Sequence, residues 1–334
     1  MAFQNFAVAT ASFKPLISPQ ELNLLLERRA FMKGRGQQFD RILPKKQNLV
    51  RRRREYRVYV PRGYDGNKAM PMVMVLHGCR QDHHDIQSVC GFDAIADREQ
   101  FIVVYPYITS YSGMRTQNCW GWWLSRQRKR NKGEAGDLHQ IVAEVVNEFA
   151  VDQSRLHVCG LSAGAAMGVV ALTTYSDIWR SGASVAGVPY GESANCVKFS
   201  QHVAVRMRPL SMLIRSMERV LVSTPPKLLV IQSTADAQVG LKLAENLRDC
   251  WRSTWAFSLY SSSKPEWTVS SSSGTVANVV WNYDQHSTGA SPTELGYFTL
   301  DDVPHGWVGG NPGLFSTTDG PNLSELIWAF FQRS

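Results

Sequence analysis

The short apolar run Arg155-Leu156-His157-Val158-Cys159 leads directly into Gly160-Leu161-Ser162-Ala163-Gly164, and the small-residue stretch Ala165 to Leu172 follows. Gly-x-Ser-x-Gly between a strand and a helix describes a sharp turn with a serine at its tip. The residue types follow from that geometry. The turn is strained, and a Cβ at either glycine position would meet the neighbouring strand or helix. Alone, the pentapeptide is a common pattern. It becomes restrictive when an acid and a histidine follow it, in that order, at the ends of later strands.

The remainder of the chain supplies those strands. Met72 to Leu76, Phe101 to Tyr105 and Lys227 to Ile231 are continuous apolar runs, as expected of parallel strands covered on both faces. Ile141, Val142, Val145, Val146 and Phe149 recur at helical spacing before the strand that enters the serine turn, or elbow. Leu323, Leu326, Ile327, Phe330 and Phe331 do the same near the C-terminus. Strands alternating with helices predict a mostly parallel central sheet with right-handed crossovers and helices on both faces. The serine turn between strand and helix makes the expected class an α/β-hydrolase fold.

With 334 residues, 44% of them hydrophobic, the chain suits one large α/β domain with insertions. We expect the catalytic domain at 51–334 and a helical N-terminal extension over 1–50. The extension's helix starts at Ser18-Pro19-Gln20-Glu21, a capping box with Pro in the first turn, and lines up Leu22, Leu25 and Leu26. Tyr56 to Val60 alternates like an edge strand ended by Pro61. Residues 192–224 carry Met207, Met212 and Met217 among basic residues. They read either as a cap-like excursion over the site or as one more amphipathic helix on the sheet. The serine-rich stretch Ser261 to Ser273 is expected as a surface loop.

The net charge of +8 raises the question of a polyanionic partner. Much of the excess sits in Lys45-Lys46, Arg51 to Arg54 and Arg126 to Lys132, which read as solvated loops and strand ends or as an anionic-surface contact. No zinc-finger, RNA-recognition or helix-turn-helix pattern is present, so no nucleic-acid partner is expected. Met1 to Thr10 lacks a basic start, and Gln4-Asn5 interrupt its apolar residues. No segment is apolar enough to span a membrane. The expected compartment is the cytoplasm, or the exterior if a signal has been removed. Six cysteines without Cys-x-x-Cys spacing make neither a disulfide scaffold nor a zinc site.

An acid and a histidine do follow the elbow. After the strand ending at Ile231 comes Gln232-Ser-Thr-Ala-Asp236, and after Tyr297 to Leu300 come Asp301-Asp302-Val303-Pro304-His305. Serine, aspartate and histidine in this chain order form the triad used by this fold. Ser162 is the candidate nucleophile, His305 the general base and Asp236 the acid that orients it. Asp301 and Asp302 compete for the acid role but adjoin the histidine and read as exposed loop charges. His77-Gly78-Cys79 ends an earlier apolar strand, where backbone amides help to bind an oxyanion. The N–H groups of Cys79 and Ala163 are assigned there, with the His77 side chain bracing the loop. This chemistry requires no metal and no organic cofactor.

Five motifs occur in order: Leu76-His77-Gly78-Cys79-Arg80-Gln81, Cys119-Trp120-Gly121-Trp122-Trp123, Gly160 to Gly164, Pro189-Tyr190-Gly191 and His305-Gly306-Trp307-Val-Gly-Gly310. Together they resemble the polyhydroxybutyrate depolymerase family of esterases, related to feruloyl and acetylxylan esterases, from about Tyr56 to the C-terminus. Gly306 and Gly121 stand where that family often has Ala and Asn, and neither change removes a catalytic group. The resemblance implies a serine esterase cleaving a polyester such as poly(3-hydroxybutyrate), its oligomers, or a feruloyl or acetylxylan ester. A polymer- or polyanion-binding protein without activity is the reading of another class. Trp120 and Trp307 are expected to line the substrate site. Cys79 and Cys119 adjoin it, and a bridge between them would tie two loops together, whereas a reducing cytoplasm would keep both thiols free.

Overall fold

The computed structural model describes residues 17–28, 34–43, 54–107, 117–198, 204–255, 266–288 and 295–333. Met1 to Thr10, Lys45-Lys46, Arg51 to Arg53 and Ser261 to Pro265 lie outside the described residues. In chain order the first elements are α1 (Pro19–Leu26), β1 (Gln37–Ile42), β2 (Glu55–Val60), β3 (Met70–Leu76), α2 (His83–Cys90), α3 (Phe92–Glu99) and β4 (Ile102–Pro106). Next come α4 (Gly133–Glu148), β5 (Val151–Leu161), α5 (Ala163–Thr174), β6 (Ser181–Val185), α6 (Leu210–Glu218), β7 (Lys227–Ser233) and α7 (Leu241–Trp255). The chain closes with β8 (Thr268–Val276), β9 (Val279–Ser287), β10 (Leu295–Leu300), the two-residue strands β11 (Trp307–Val308) and β12 (Ser316–Thr317), and α8 (Leu323–Gln332).

One ten-stranded sheet runs in the order β1-β2-β4-β3-β5-β6-β7-β10-β9-β8. The six strands from β4 to β10 are mutually parallel, and antiparallel strands close both sides. Every residue of β3 is buried. Its side chains divide by parity, as strand pleating requires. Met72, Met74 and Leu76 join one apolar cluster with Leu138 and Ile141 of α4 and Met167 and Val170 of α5. Val73 and Val75 join a second with Ile86 of α2, Phe92 of α3, and Leu326 and Ile327 of α8. A strand buried on both faces cannot alternate polar with apolar residues, which is why these runs are continuous. This is the expected α/β-hydrolase architecture.

Three local expectations are corrected. Tyr56 to Val60 is not at an edge: β2 pairs with β4 on one side and with β1 on the other. The leading segment is not only helical, because Gln37–Ile42 supplies that edge strand. Its helix does carry the capping box at Ser18 and Glu21, and buries Leu22 and Leu26. Within the serine-rich stretch, residues from Thr268 onward form β8, hydrogen-bonded to β9 as a hairpin with a tight turn at Ala277-Asn278. Small hydroxyl side chains suit an exposed outer strand, and β8 is the opposite edge of the sheet.

Between residues 192 and 224 the described residues hold a 3-10 turn at Ala194–Cys196 and α6. Helix α6 buries Leu213 and Met217 against α7 and leaves Met212 exposed, the pattern of an amphipathic helix. Among the described residues no helix is long and apolar enough to cross a membrane.

Candidate active site

Ser162 leaves the end of β5 with φ 56° and ψ −119°, outside the regions open to ordinary residues. Its N–H donates to the Val185 carbonyl at 2.8 Å, and its own carbonyl accepts from Ala166 in the first turn of α5 at 2.9 Å. Sheet and helix thus hold the strained residue from both sides. The two elbow glycines permit the approach. A Cβ on Gly164 would stand 2.3 Å from the Leu76 carbonyl oxygen and 2.4 Å from that of His77, and one on Gly160 would stand 2.8 Å from the Leu76 oxygen. The turn at Ser162 is therefore packed directly on the end of β3, where the His77-Gly78-Cys79 loop begins.

That loop is braced from several directions. His77 is fully buried, and burial pushes its imidazole down to about 4, so the ring is neutral near pH 7. Its Nδ1 contacts the Gly78 carbonyl oxygen at 2.8 Å. The Gly78 N–H donates to Gln81 Oε1 at 2.8 Å, and Gln81 Nε2 donates to the Leu314 carbonyl at 2.7 Å. Cys79 is disulfide-bonded to Cys119, which fastens the loop to the tryptophan-rich segment. The pairing left open by the sequence is thus present. The other described cysteines, Cys90, Cys159, Cys196 and Cys250, are free and buried.

Strands β7 and β10 deliver the next two residues. They are parallel neighbours, with Leu300 opposite Ser233, so the loops after them emerge side by side at the carboxyl edge of the sheet. Ser233 Oγ donates to the Val303 carbonyl at 2.6 Å and ties those loops together. Asp236 and His305 meet across them, with Oδ2 of the carboxylate 2.6 Å from Nδ1 of the ring. The same Oδ2 accepts from Gln232 Nε2 at 3.1 Å, and Oδ1 accepts the N–H groups of Gln238 and Val239, both at 2.8 Å. Burial by itself would raise the Asp236 carboxyl. The hydrogen bond and charge of His305 and the two backbone donors outweigh it and hold the group below the ordinary aspartate value. Asp302 is exposed and Asp301 half-buried, its Oδ1 3.4 Å from Thr234 Oγ1, so neither takes the place of Asp236.

A cavity of about 480 Å³ opens beside the elbow, walled in part by Ser162, Ala163, Cys79, Trp122 and Phe315. Phe315 also stands edge-on to His305, with ring centroids 6.0 Å apart. Val197 and Lys198, which follow the 3-10 turn at Ala194–Cys196, complete another part of the wall.

The tryptophans expected at the wall are elsewhere. Trp120 and Trp307 are both fully buried. Each indole N–H has an internal acceptor, the His77 carbonyl for Trp120 and Ser324 Oγ for Trp307, both at 3.0 Å. Such side chains support the loops from beneath, and Trp122 takes the wall position. Trp307→Ala removes a ring packed edge-to-face on Phe92. It is expected to lower stability by about 3–5 kcal/mol in urea unfolding, and a loss below about 1 kcal/mol would show the ring is not part of the core.

Two further residues were not foreseen. Glu134, fully buried, accepts the Gly121 N–H at 2.6 Å and lies 3.7 Å from a nitrogen of Arg54. Arg54 itself is buried and also bonds Asp137 at 2.7 Å, so the last arginine of the basic run is an internal anchor rather than a solvated charge. His83 is buried as well, its ring centroid 3.9 Å from that of His84 and the two planes tilted by 37°. No motif announces a buried ion pair, because the partners lie far apart in the sequence.

Comparison with known proteins agrees with this architecture. The profile of a family described as Esterase PHB depolymerase matches residues 54–228. Poly(3-hydroxyalkanoate) depolymerase C of Paucimonas lemoignei is 36% identical over 132 residues, which cover 40% of this chain and 31% of that protein. Acetylxylan esterase A of Emericella nidulans is 31% identical over 137 residues, covering 40% of this chain and 42% of its own length. The chain thus spans less than half of these two relatives. Among solved structures, an acetyl xylan esterase from Aspergillus awamori superimposes with a TM-score of 0.58 at 18% identity, over 75% of this chain and 89% of that one. A ferulic acid esterase from Anaeromyces mucronatus gives 0.55 at 13% identity, over 96% and 98%. These two likenesses establish a shared fold. With the profile matched over slightly more than half of its residues, the chain belongs to the esterase PHB depolymerase family.

Proposed function

We propose that the chain is a serine carboxylic-ester hydrolase acting on a polyhydroxyalkanoate, such as poly(3-hydroxybutyrate), or on its oligomers. The observation that carries the reading is the 2.6 Å contact between Asp236 and His305, at the same sheet edge as the strained Ser162. An ionised carboxylate has no proton to give, so the His305 Nδ1 donates and Nε2 keeps its lone pair for the serine proton. His305 takes that proton as Ser162 Oγ attacks the ester carbonyl. The N–H groups of Cys79 and Ala163 bind the oxyanion, and each such donor contributes about 3 kcal/mol. The alcohol leaves with the proton from His305, and water then releases the acyl-enzyme.

Supporting the polyester reading are the family and the P. lemoignei relative. The names of other relatives favour acetylxylan or feruloyl esters as the second reading. A panel of p-nitrophenyl esters, poly(3-hydroxybutyrate), its soluble oligomers, acetylated xylan and methyl ferulate separates them. Fastest turnover of the hydroxybutyrate substrates is expected. Fastest turnover of acetylated xylan or ferulate moves the assignment to the second reading, and no turnover of any ester overturns the enzyme.

The Cys79–Cys119 bridge fits work in an oxidising compartment better than the reducing cytoplasm expected from the sequence. It also holds the loop that carries the Cys79 donor. Cys119→Ser is therefore expected to lower kcat about tenfold or more, and reductant is expected to slow the parent protein and leave the variant unchanged. Burial pushes the Cys90 thiol up to about 12 and raises those of Cys159, Cys196 and Cys250, so these stay inert in the assay. A Cys119→Ser protein with full kcat removes the bridge from the catalytic account.

A further inference from the structure

We propose that Arg80 and Lys198 form a carboxylate-recognition pair in the active-site cavity, so that ester oligomers ending in a free carboxylate are cleaved in preference to neutral ones. The inference rests on the esterase reading and narrows its substrate.

Both residues line the cavity that contains Ser162. Arg80 directly follows Cys79 and has a left-handed backbone, φ 66°, fixed by its N–H donating to the Gln117 carbonyl at 2.6 Å. Its guanidinium carbon lies 5.8 Å from the centre of the Phe315 ring, the ring that also faces His305. Lys198 lies two residues beyond the 3-10 turn at Ala194–Cys196. Its N–H donates to the Gln238 carbonyl at 2.9 Å, beside the backbone donors that hold Asp236. One cation is thus anchored to the loop of the Cys79 donor, and the other to the loop of the acid.

The described residues lining the cavity include no aspartate or glutamate. The sequence stretches 108–116 and 199–203, which adjoin these loops, contain none either. Among the described residues the wall therefore presents positive charge with no acid lining it. A cleft of one sign concentrates ligands of the opposite sign, and a guanidinium or ammonium binds a carboxylate through charge-assisted hydrogen bonds. A purely neutral polyester chain would make no use of it.

The chemistry of a hydroxy-acid oligomer supplies the matching anion. Its carboxyl-terminal unit carries the only free carboxylate and is joined to the chain through its hydroxyl. When Ser162 attacks the last ester carbonyl, the carbon–oxygen bond to that unit breaks. The departing oxygen takes the proton held by His305, and the unit leaves as a hydroxy acid. Arg80 and Lys198 therefore hold the leaving-alcohol side of the substrate. Hydrolysis of each ester bond creates a new carboxylate, so shortened chains return to the cavity with the group that it recognises.

The test compares the linear trimer of 3-hydroxybutyrate with its methyl ester in the full chain. The wild-type kcat/KM is expected to be about tenfold or more higher for the free acid at low ionic strength, and added salt is expected to erode that ratio. In an Arg80→Met, Lys198→Met double variant the ratio is expected to fall to about one, and Lys198→Glu is expected to depress the free acid selectively. Dividing the two rates within each protein cancels any loss common to both substrates. Equal wild-type rates, or a preference that survives in the double variant, overturn the inference while p-nitrophenyl acetate turnover leaves the esterase reading intact. A wild-type chain that cleaves no ester at all overturns both.

Discussion

Ser162→Ala is expected to lower kcat for short p-nitrophenyl esters by at least about 10⁴-fold, since loss of a triad nucleophile typically leaves only the catalysis due to binding and the oxyanion donors. The argument is local. Removing Oγ deletes the attacking atom and leaves the elbow backbone in place, because its hydrogen bonds to Val185 and Ala166 are made by main-chain atoms. Alanine at φ 56° carries a backbone penalty comparable to that of serine, so thermal unfolding is expected to move by no more than a few degrees. The same variant separates catalysis from adsorption. A non-catalytic polymer binder would keep all of its measured behaviour, whereas the esterase keeps substrate binding and loses turnover. Residual activity above about one per cent of wild type would move the nucleophile elsewhere.

Asp236→Asn is expected to cost about 10⁴-fold in kcat with little change in fold. Oδ1 of Asp236 accepts two backbone N–H groups, from Gln238 and Val239. An asparagine must place its carbonyl oxygen there, since two backbone donors cannot face an NH₂ group. Its amide nitrogen then points at His305. The imidazole is forced to accept at Nδ1 and carry its proton on Nε2, the position that has to receive the serine proton. Geometry survives, but the tautomer is wrong. The aspartate also links stability to pH with a definite sign. Its folded-state value lies below that of the unfolded chain, so its stabilising contribution is complete above the unfolded value and lost as pH falls through the folded one. Asp236→Asn should accordingly flatten the acid limb of the stability profile. An unchanged kcat in this variant would transfer the orienting role to another group.

The parallel sheet was legible because burial on both faces keeps β3, β4 and the Leu228 to Ile231 stretch of β7 apolar, which leaves short unbroken apolar runs between helices. The elbow was legible for the opposite reason: Gly160 and Gly164 are forced by backbone contacts with β3 that no side chain can share. The order of Ser162, Asp236 and His305 along the chain pointed to strand ends that the sheet places at one edge. Orientation was harder to read. Trp120 and Trp122 are two residues apart in one irregular loop, where no period fixes direction, and only the internal acceptor at the His77 carbonyl explains why the first turns inward. Strand β1 was hidden because Gln37, Gln38 and Asp40 give an exposed edge strand no apolar alternation. Strand β8 was hidden by its serines, which read as loop whenever the partner strand is not known.

The contact of Gly160 and Gly164 with the end of β3 divides the site into two parts with different prospects for engineering. The Ser162 turn and the start of the Cys79 loop share one backbone seam, so a change on either side displaces the other. Arg80, Trp122, Lys198 and Phe315 reach the cavity as side chains from outside that seam. A combinatorial library confined to those four positions can therefore search for new ester specificities while the contacts of Gly160 and Gly164 with β3 stay unchanged.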